Sequence, residues 1–408
     1  MFMKQFPGYK VIPATLPVWL LMGLLGSPLA ARAVPFQPTE SGQVLERLRA
    51  KPLDPATHHL HELRARLATD PANPAVACDF ARQCIELSRS ESNPRYLGRA
   101  QGALARWWDQ AAPPIDVLVL RATIKQSQHD FTNALTDLDA ALHRAPDNAQ
   151  AWLTKATVLT VLGDYADARR ACAPLIQLAP GLIGLTAAVS VSSLNGEAAS
   201  SCQLLNNALA GQPKASAGDK LWALTVLAES SARLGRQTEA ENYFKSALAL
   251  GEHDPYLLGA YADLLLDEGR NQEVATLLAG EVNADALLLR LTLAEAALTP
   301  RPESYPAHLA SLQERFEAGH LRGDFVHQRE EARYQLELLH QPLAALQLAQ
   351  ANWQVQREPA DVRILLATAL ATGDRGAAQP ALDFLREKHL EDAQLDKLAR
   401  QITLTNAK

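Results

Sequence analysis

The stretch LGDYADARRACAPLIQLAP, Leu162 to Pro180, decides the fold because it recurs. Sliding back 34 places gives QHDFTNALTDLDAALHRAP, ending at Pro146, with Asp130, Phe131 and Ala134 opposite Asp164, Tyr165 and Ala168. The spacing persists beyond this pair. Pro213 follows Pro146 and Pro180, Ala100 precedes Ala134 and Ala168, and Gly235 in RLGRQTEA is matched by Gly269 in DEGRNQEV. A period of about 34 residues is that of a helix-turn-helix unit stacked many times.

One unit, residues 149–180, carries the physical reason for the pattern. Trp152, Ala156 and Leu159 recur at helical spacing and give a first helix one apolar stripe. Gly163 stops it, since glycine enters the left-handed conformation without a Cβ penalty, and Asp164 is placed to cap the next helix. In that second helix Tyr165, Ala168, Cys172 and Leu175 line up, and the small Ala168 lets two helices approach closely. Pro180 ends the helix and sets up the next unit.

With these residues the chain resembles the tetratricopeptide repeat family, in an exported, bacterial-type form. Trp152, Ala156, Gly163, Tyr165, Ala168 and Pro180 fill the family's large, small, glycine, aromatic, small and proline places. Leu118, Ala122, Phe131, Ala134 and Pro146 fill them one unit earlier, with His129 in the glycine place. The pattern returns as Leu224, Ala228, Gly235, Ala240 and Phe244, then as Leu258, Ala262, Gly269 and Leu278. It is fullest over 114–180 and 221–280 and thinner across the rest of 73–390, where His340 and Gly373 stand as breakers. The resemblance implies an all-α fold, a right-handed solenoid of stacked antiparallel helix pairs whose first helices line a concave groove.

Composition agrees with that class. The chain is 48% hydrophobic and 21% charged, enough apolar material for a large core, and it is rich in Ala and Leu, which lose little freedom in helices. A formal charge of −6 argues against nucleic acid, whose binding needs clustered Lys and Arg. Lys4 and Lys10, the apolar run LPVWLLMGLLGSPLA and the small residues of ARA predict a secretory signal peptide over 1–33, cleaved after Ala33. The chain then divides into an N-terminal segment and first helix (34–72), repeats (73–283), degenerate helical repeats (284–390), and a polar capping helix and tail (391–408). The mature chain is expected in the periplasm or outside the cell, with no membrane span. Cys78 and Cys84 lie six apart on one predicted helix and cannot bridge. Cys172 and Cys202, on neighbouring helices, leave a pairing open, although a chain this long needs no staple and burial as small hydrophobes suits all four.

Function is sought in the groove. Places two, five, nine, twelve and thirteen of each unit are expected to face it. Early units offer a mild mixture, with Asp116, Val119, Thr123, Gln150, Leu153 and Thr157. Later units offer Trp222, Thr225, Glu229 and Arg233, then Tyr256, Asp263 and Asp267, then His327, Glu330, Tyr334 and Glu337, an acidic face with aromatics suited to a basic or amphipathic peptide. The Lys and Asn with which some family members clamp a peptide carboxylate are replaced by Val119 and Thr123, Leu153 and Thr157, or Thr225 and Glu229. There is no HExxH, GxSxG, phosphate loop or dinucleotide fingerprint, so neither catalysis nor a cofactor is expected. His58, His61 and Glu62 share one helical face and form the basis of an alternative, an accessory or metal-handling protein. The leading expectation is an exported scaffold that binds a protein or peptide.

Overall fold

The repeat period is written into backbone turns of constant geometry. The computed structural model describes residues 55–323 and 326–404, all within one unit, Leu53–Lys408. The signal peptide, its cleavage site and residues 34–54 of the N-terminal segment lie outside the described residues, as does the tail from 405. A first helix, α1 (Pro55–Thr69), precedes the pairs α2 (Pro74–Ser90) with α3 (Arg95–Trp108) and α4 (Ile115–Ser127) with α5 (Phe131–Arg144). Next come α6 (Ala149–Val161) with α7 (Tyr165–Cys172) and α8 (Leu175–Leu178), α9 (Leu182–Ser192) with α10 (Ala198–Gly211), and α11 (Ala217–Arg233) with α12 (Gln237–Leu248). The chain continues through α13 (Pro255–Asp267) and α14 (Asn271–Leu277), α15 (Asp285–Ala297) and α16 (Tyr305–Leu321), and α17 (Gln328–Arg333), which runs into a π-helical turn at Tyr334–Leu338. It ends in α18 (Pro342–Trp353), α19 (Pro359–Thr372), α20 (Arg375–Lys388) and α21 (Ala393–Leu404). No strand occurs among the described residues, and sequential helices pack as antiparallel neighbours, an all-α solenoid.

Within a unit the turn is a backbone device. Gly163 sits at φ 76° and Gly235 at φ 73°, and the next residue's N–H reaches back to the helix just ended: Asp164 N to Leu159 O and Arg236 N to Ser231 O, each 2.9 Å. His129 and His340 take the glycine place at φ 58° and 54°, histidine being one of the side chains that tolerates the left-handed region. His129 meets the steric cost with a stacked contact on Phe131, ring centroids 5.3 Å apart. Asp164 makes no side-chain cap. The expected cap is unnecessary because the turn's geometry is the same where Arg236 or Arg270 follows the glycine. The second helix of this unit is also shorter than its pattern implies. Pro174 has no N–H to continue the ladder, so α7 stops at Cys172 and α8 restarts at Leu175.

Small residues set the helix spacing. Ala122, Ala134, Ala141 and Ala168 are fully buried, with Leu118, Phe131, Leu138 and Tyr165 filling the space between pairs. Each buried Leu or Phe stabilises the stack by about 1.5–3 kcal/mol. Most of the core is therefore a series of local clusters, each shared by neighbouring units. All four cysteines are buried, free thiols, and Cys172 donates its S–H to Ala187 O, so Cys172 and Cys202 are not paired.

One cluster is not local. It joins Ala156, Leu159, Tyr165, Ala187 and Val191 to Trp353, Val362, Phe384, Leu395 and Ile402. The coil returns on itself, and its C-terminal hairpins meet the turns of earlier units. Phe384 lies edge-on to Tyr165 and against Gly163, where a Cβ would come within 2.6 Å of the ring. Arg357 N donates to Val161 O (2.8 Å), and Glu391 accepts from Ala198 N at the start of α10 (3.1 Å). The predicted capping helix thus buries Leu395 and Ile402 instead of only closing the array with a polar face.

An ion cluster on the outer helices ties two units together. Glu241 on α12 accepts from Arg270 (2.7 Å), Lys245 (2.9 Å) and Tyr261 (3.0 Å). The bonds from Arg270 and Lys245 hold its carboxyl down at about 2. A depressed carboxylate stabilises the fold above its unfolded value of about 4 and loses that contribution as pH falls towards the folded value. After allowance for solvent screening, Glu241→Gln is expected to cost about 1–2 kcal/mol at neutral pH. Urea unfolding from pH 7 downward should narrow the gap between variant and wild type steadily towards pH 2, where the folded carboxyl is about half protonated. A gap independent of pH would assign the loss to packing.

Candidate functional site: the concave face

The helices that begin each unit, among them α4, α11 and α13, carry the residues expected to face the groove, but the returning hairpins change what is open among them. Val119, Thr123 and Thr225 are buried, and Trp222 is half-buried between two apolar clusters. Asp263 is bonded by Arg290 and by Arg333 (2.6 Å), a residue 70 positions further along the chain. Burial alone pushes its carboxyl up, but the two guanidiniums outweigh burial and hold it well below the usual carboxylate range. Asp267 is held by both terminal nitrogens of Arg363, reaching across from α19. Glu330 pairs with Arg329 (3.2 Å) and Glu337 with Arg333 (3.0 Å).

The expected acidic groove is therefore corrected: most of its acids are neutralised by the chain's own arginines. Arg290 reaches Asp263 from the next unit, while Arg333 and Arg363 come from units far along the sequence, which the repeat pattern gives no sign of.

Tyr334 is a second correction. Only 2% exposed, it packs on Phe316 with centroids 5.2 Å apart, and its hydroxyl has no hydrogen-bond partner. The π turn at Tyr334–Leu338 inserts one residue between α17 and the His340 turn, so counting back from that turn misplaces every residue before it by one. Tyr334 then occupies the tenth place, where Ile124, Val158 and Leu264 are also buried, and Arg329 and Arg333 take the groove-facing places.

What remains open centres on Tyr256 and Glu229. The Tyr256 hydroxyl donates to Glu229 Oε1 at 2.7 Å, yet the tyrosine is 65% exposed. Burial pushes the Glu229 carboxyl up, as do the charges of Glu358 and Asp263, against the pull of Arg233. Arg233, one turn further along α11, directs Nη2 to Ser193 (3.0 Å) and Ser230 (3.1 Å) and makes no ion pair with Glu229.

On α1, His58 lies 3.5 Å and His59 3.7 Å from Glu62, all three exposed, so the imidazoles beside that carboxylate are His58 and His59 and not the predicted pair of His58 with His61. No group of three or more His, Cys, Asp or Glu converges to hold a metal among the described residues. On the outer side, the break at Pro174 leaves an open cleft of about 300 Å³ between α8, α9 and α10. Exposed Ile176 and Leu204 flank it, and the Arg169–Glu197 pair lies at its rim. No described helix is long and apolar enough to cross a membrane.

Comparison with known proteins agrees with the repeat reading. Residues 119–183 match the family model described as tetratricopeptide repeat. No curated protein matches the chain. Among solved structures it is similar to a tetratricopeptide repeat protein from Parabacteroides merdae, with 14% identity, TM-score 0.40, and coverage of 63% of this chain and 91% of that one. The Cut9–Hcn1 hetero-tetramer of the APC/C gives 15% identity and TM-score 0.42 over 85% of this chain and 58% of that one. The human IFIT1 dimer with m7Gppp-AAAA gives 12% identity and TM-score 0.40 over 82% and 86%. The family match begins in α4 and ends at the start of α9, so of the two segments whose sequence pattern is fullest it is the first that matches the tetratricopeptide repeat family.

Proposed function

We propose that this chain is an exported, non-catalytic scaffold that binds a protein or peptide partner on the part of its concave face left open around Tyr256 and Glu229. The observation that carries this reading is Tyr256 itself. It is a large aromatic, 65% exposed, on a face where Trp222 has been half absorbed and Tyr334 wholly absorbed into the core. A rigid aromatic with two side-chain torsions gives contact area at small entropic cost, and a pre-built helical wall spares the partner the cost of ordering its receptor. Export rests on Lys4, Lys10, the apolar run and Ala31 to Ala33.

A photo-crosslinking side chain placed at Tyr256 and, separately, at Leu204 beside the outer cleft tests the surface in the native cell envelope. A discrete adduct from position 256, absent from position 204, is the expected result. An adduct from 204 alone moves the binding surface to the cleft between α8 and α10, and no adduct from either removes the proposal.

A further inference from the structure

Among the acids of the later units expected in the groove, one differs from the rest. Asp263 holds two arginines, Asp267 holds Arg363, Glu330 holds Arg329 and Glu337 holds Arg333. Among the described residues Glu229 forms no ion pair, and it accepts a hydrogen bond from the Tyr256 hydroxyl. The nearest cation on its own helix, Arg233, is committed to Ser193 and Ser230. Arg233 acts on the carboxylate only from a distance, so this stretch of the wall holds a carboxylate without an ion-pair partner beside an exposed ring.

Resting on the concave face as the binding surface, we infer that Tyr256 and Glu229 together take a lysine or arginine side chain of the partner. The hydrogen bond fixes the phenol ring, whose exposed face accepts the apolar stem and the cationic head of such a residue. The carboxylate completes the contact through an ion pair, the arrangement that Asp263 and Asp267 already make with the chain's own arginines. An acidic side chain brought here meets the Glu229 carboxylate, and a purely apolar one covers that carboxylate without supplying a cation.

The test is selection of a displayed library of random peptides, about ten residues each, against the purified full chain. Selected peptides should carry Lys or Arg at one fixed position, and replacing it by Met should weaken binding about tenfold. Glu229→Gln should weaken binding to the same degree, Glu387→Gln at an exposed position of α20 should leave it unchanged, and affinity should fall as salt rises from about 50 to about 300 mM. Peptides weakened by Tyr256→Ala but indifferent to Glu229→Gln and to their own basic residues overturn the cation inference and leave the concave surface standing. Peptides indifferent to Tyr256→Ala, or a library that yields none, overturn both. Should Glu229→Gln not fold, the Met-substituted peptide carries the same decision on unaltered protein.

Discussion

Phe384→Ala is expected to lower stability by about 3–5 kcal/mol, the range for a buried aromatic that leaves a cavity. The ring is 6% exposed and lies edge-on to both Tyr165 (5.9 Å) and Trp353 (5.4 Å). It also covers Gly163, whose lack of a Cβ is what admits it. In a linear array a mutation in a late unit loosens its neighbours and leaves distant units untouched. Here Phe384 and Tyr165 share one cluster, so the expectation differs: hydrogen exchange at the α6–α7 turn, including Gly163 N–H to Thr160 O, should accelerate together with exchange in α20. Denaturant unfolding gives the energy and exchange the location. Faster exchange confined to α18–α21 would mean that the coil is not closed through this ring.

That closure is the part of the fold the sequence hides. Period, turn and breaker are local properties, and the residues that carry them are legible: Gly163, Gly235 and Gly269 in left-handed turns, His129 and His340 standing in for glycine, and buried alanines at helix crossings. Whether the array returns on itself depends on small rotations summed over many units, and no single residue encodes that sum. The groove reading failed for two different reasons. Asp263 and Asp267, expected in the groove, are occupied by arginines 70 and 96 residues further on. Tyr334 was misplaced by one inserted residue, and a single step along a helix turns a side chain by about 100°, enough to exchange groove for core. A lone π turn has no reliable signature in one sequence. The open pair of Tyr256 and Glu229 was legible as groove-facing, but its isolation from the arginines was not.

Asp137→Ala is expected to cost as much as Phe384→Ala, for an electrostatic reason. Asp137 on α5 is 4% exposed and binds Arg121 through both oxygens (2.8 and 2.6 Å) and Lys125 through one (2.8 Å). Arg121 also donates to the Trp108 and Gln110 carbonyls, so the guanidinium ties α4 to the loop that ends the preceding unit. Removing the carboxylate leaves a buried arginine and a half-buried lysine without their counter-charge, a loss of about 3–5 kcal/mol. Asp137→Asn should recover only part of it, since an amide accepts a hydrogen bond but carries no charge. The one-unit-later equivalents of Asp137 and Lys125 are the apolar Ala171 and Leu159, both buried, so those two places do not require charge, while Arg121 is matched by Lys155, which pairs with Asp139 at the surface. The combined variant Arg121→Met, Lys125→Leu, Asp137→Ala should therefore lie within about 1–2 kcal/mol of wild type, well above the single Asp137 substitution. If the triple variant is instead as unstable as the single, the cluster contributes net stability through its bonds to the Trp108–Gln110 loop, and the cost of Asp137→Ala is the loss of that anchor and not the burial of unpaired cations.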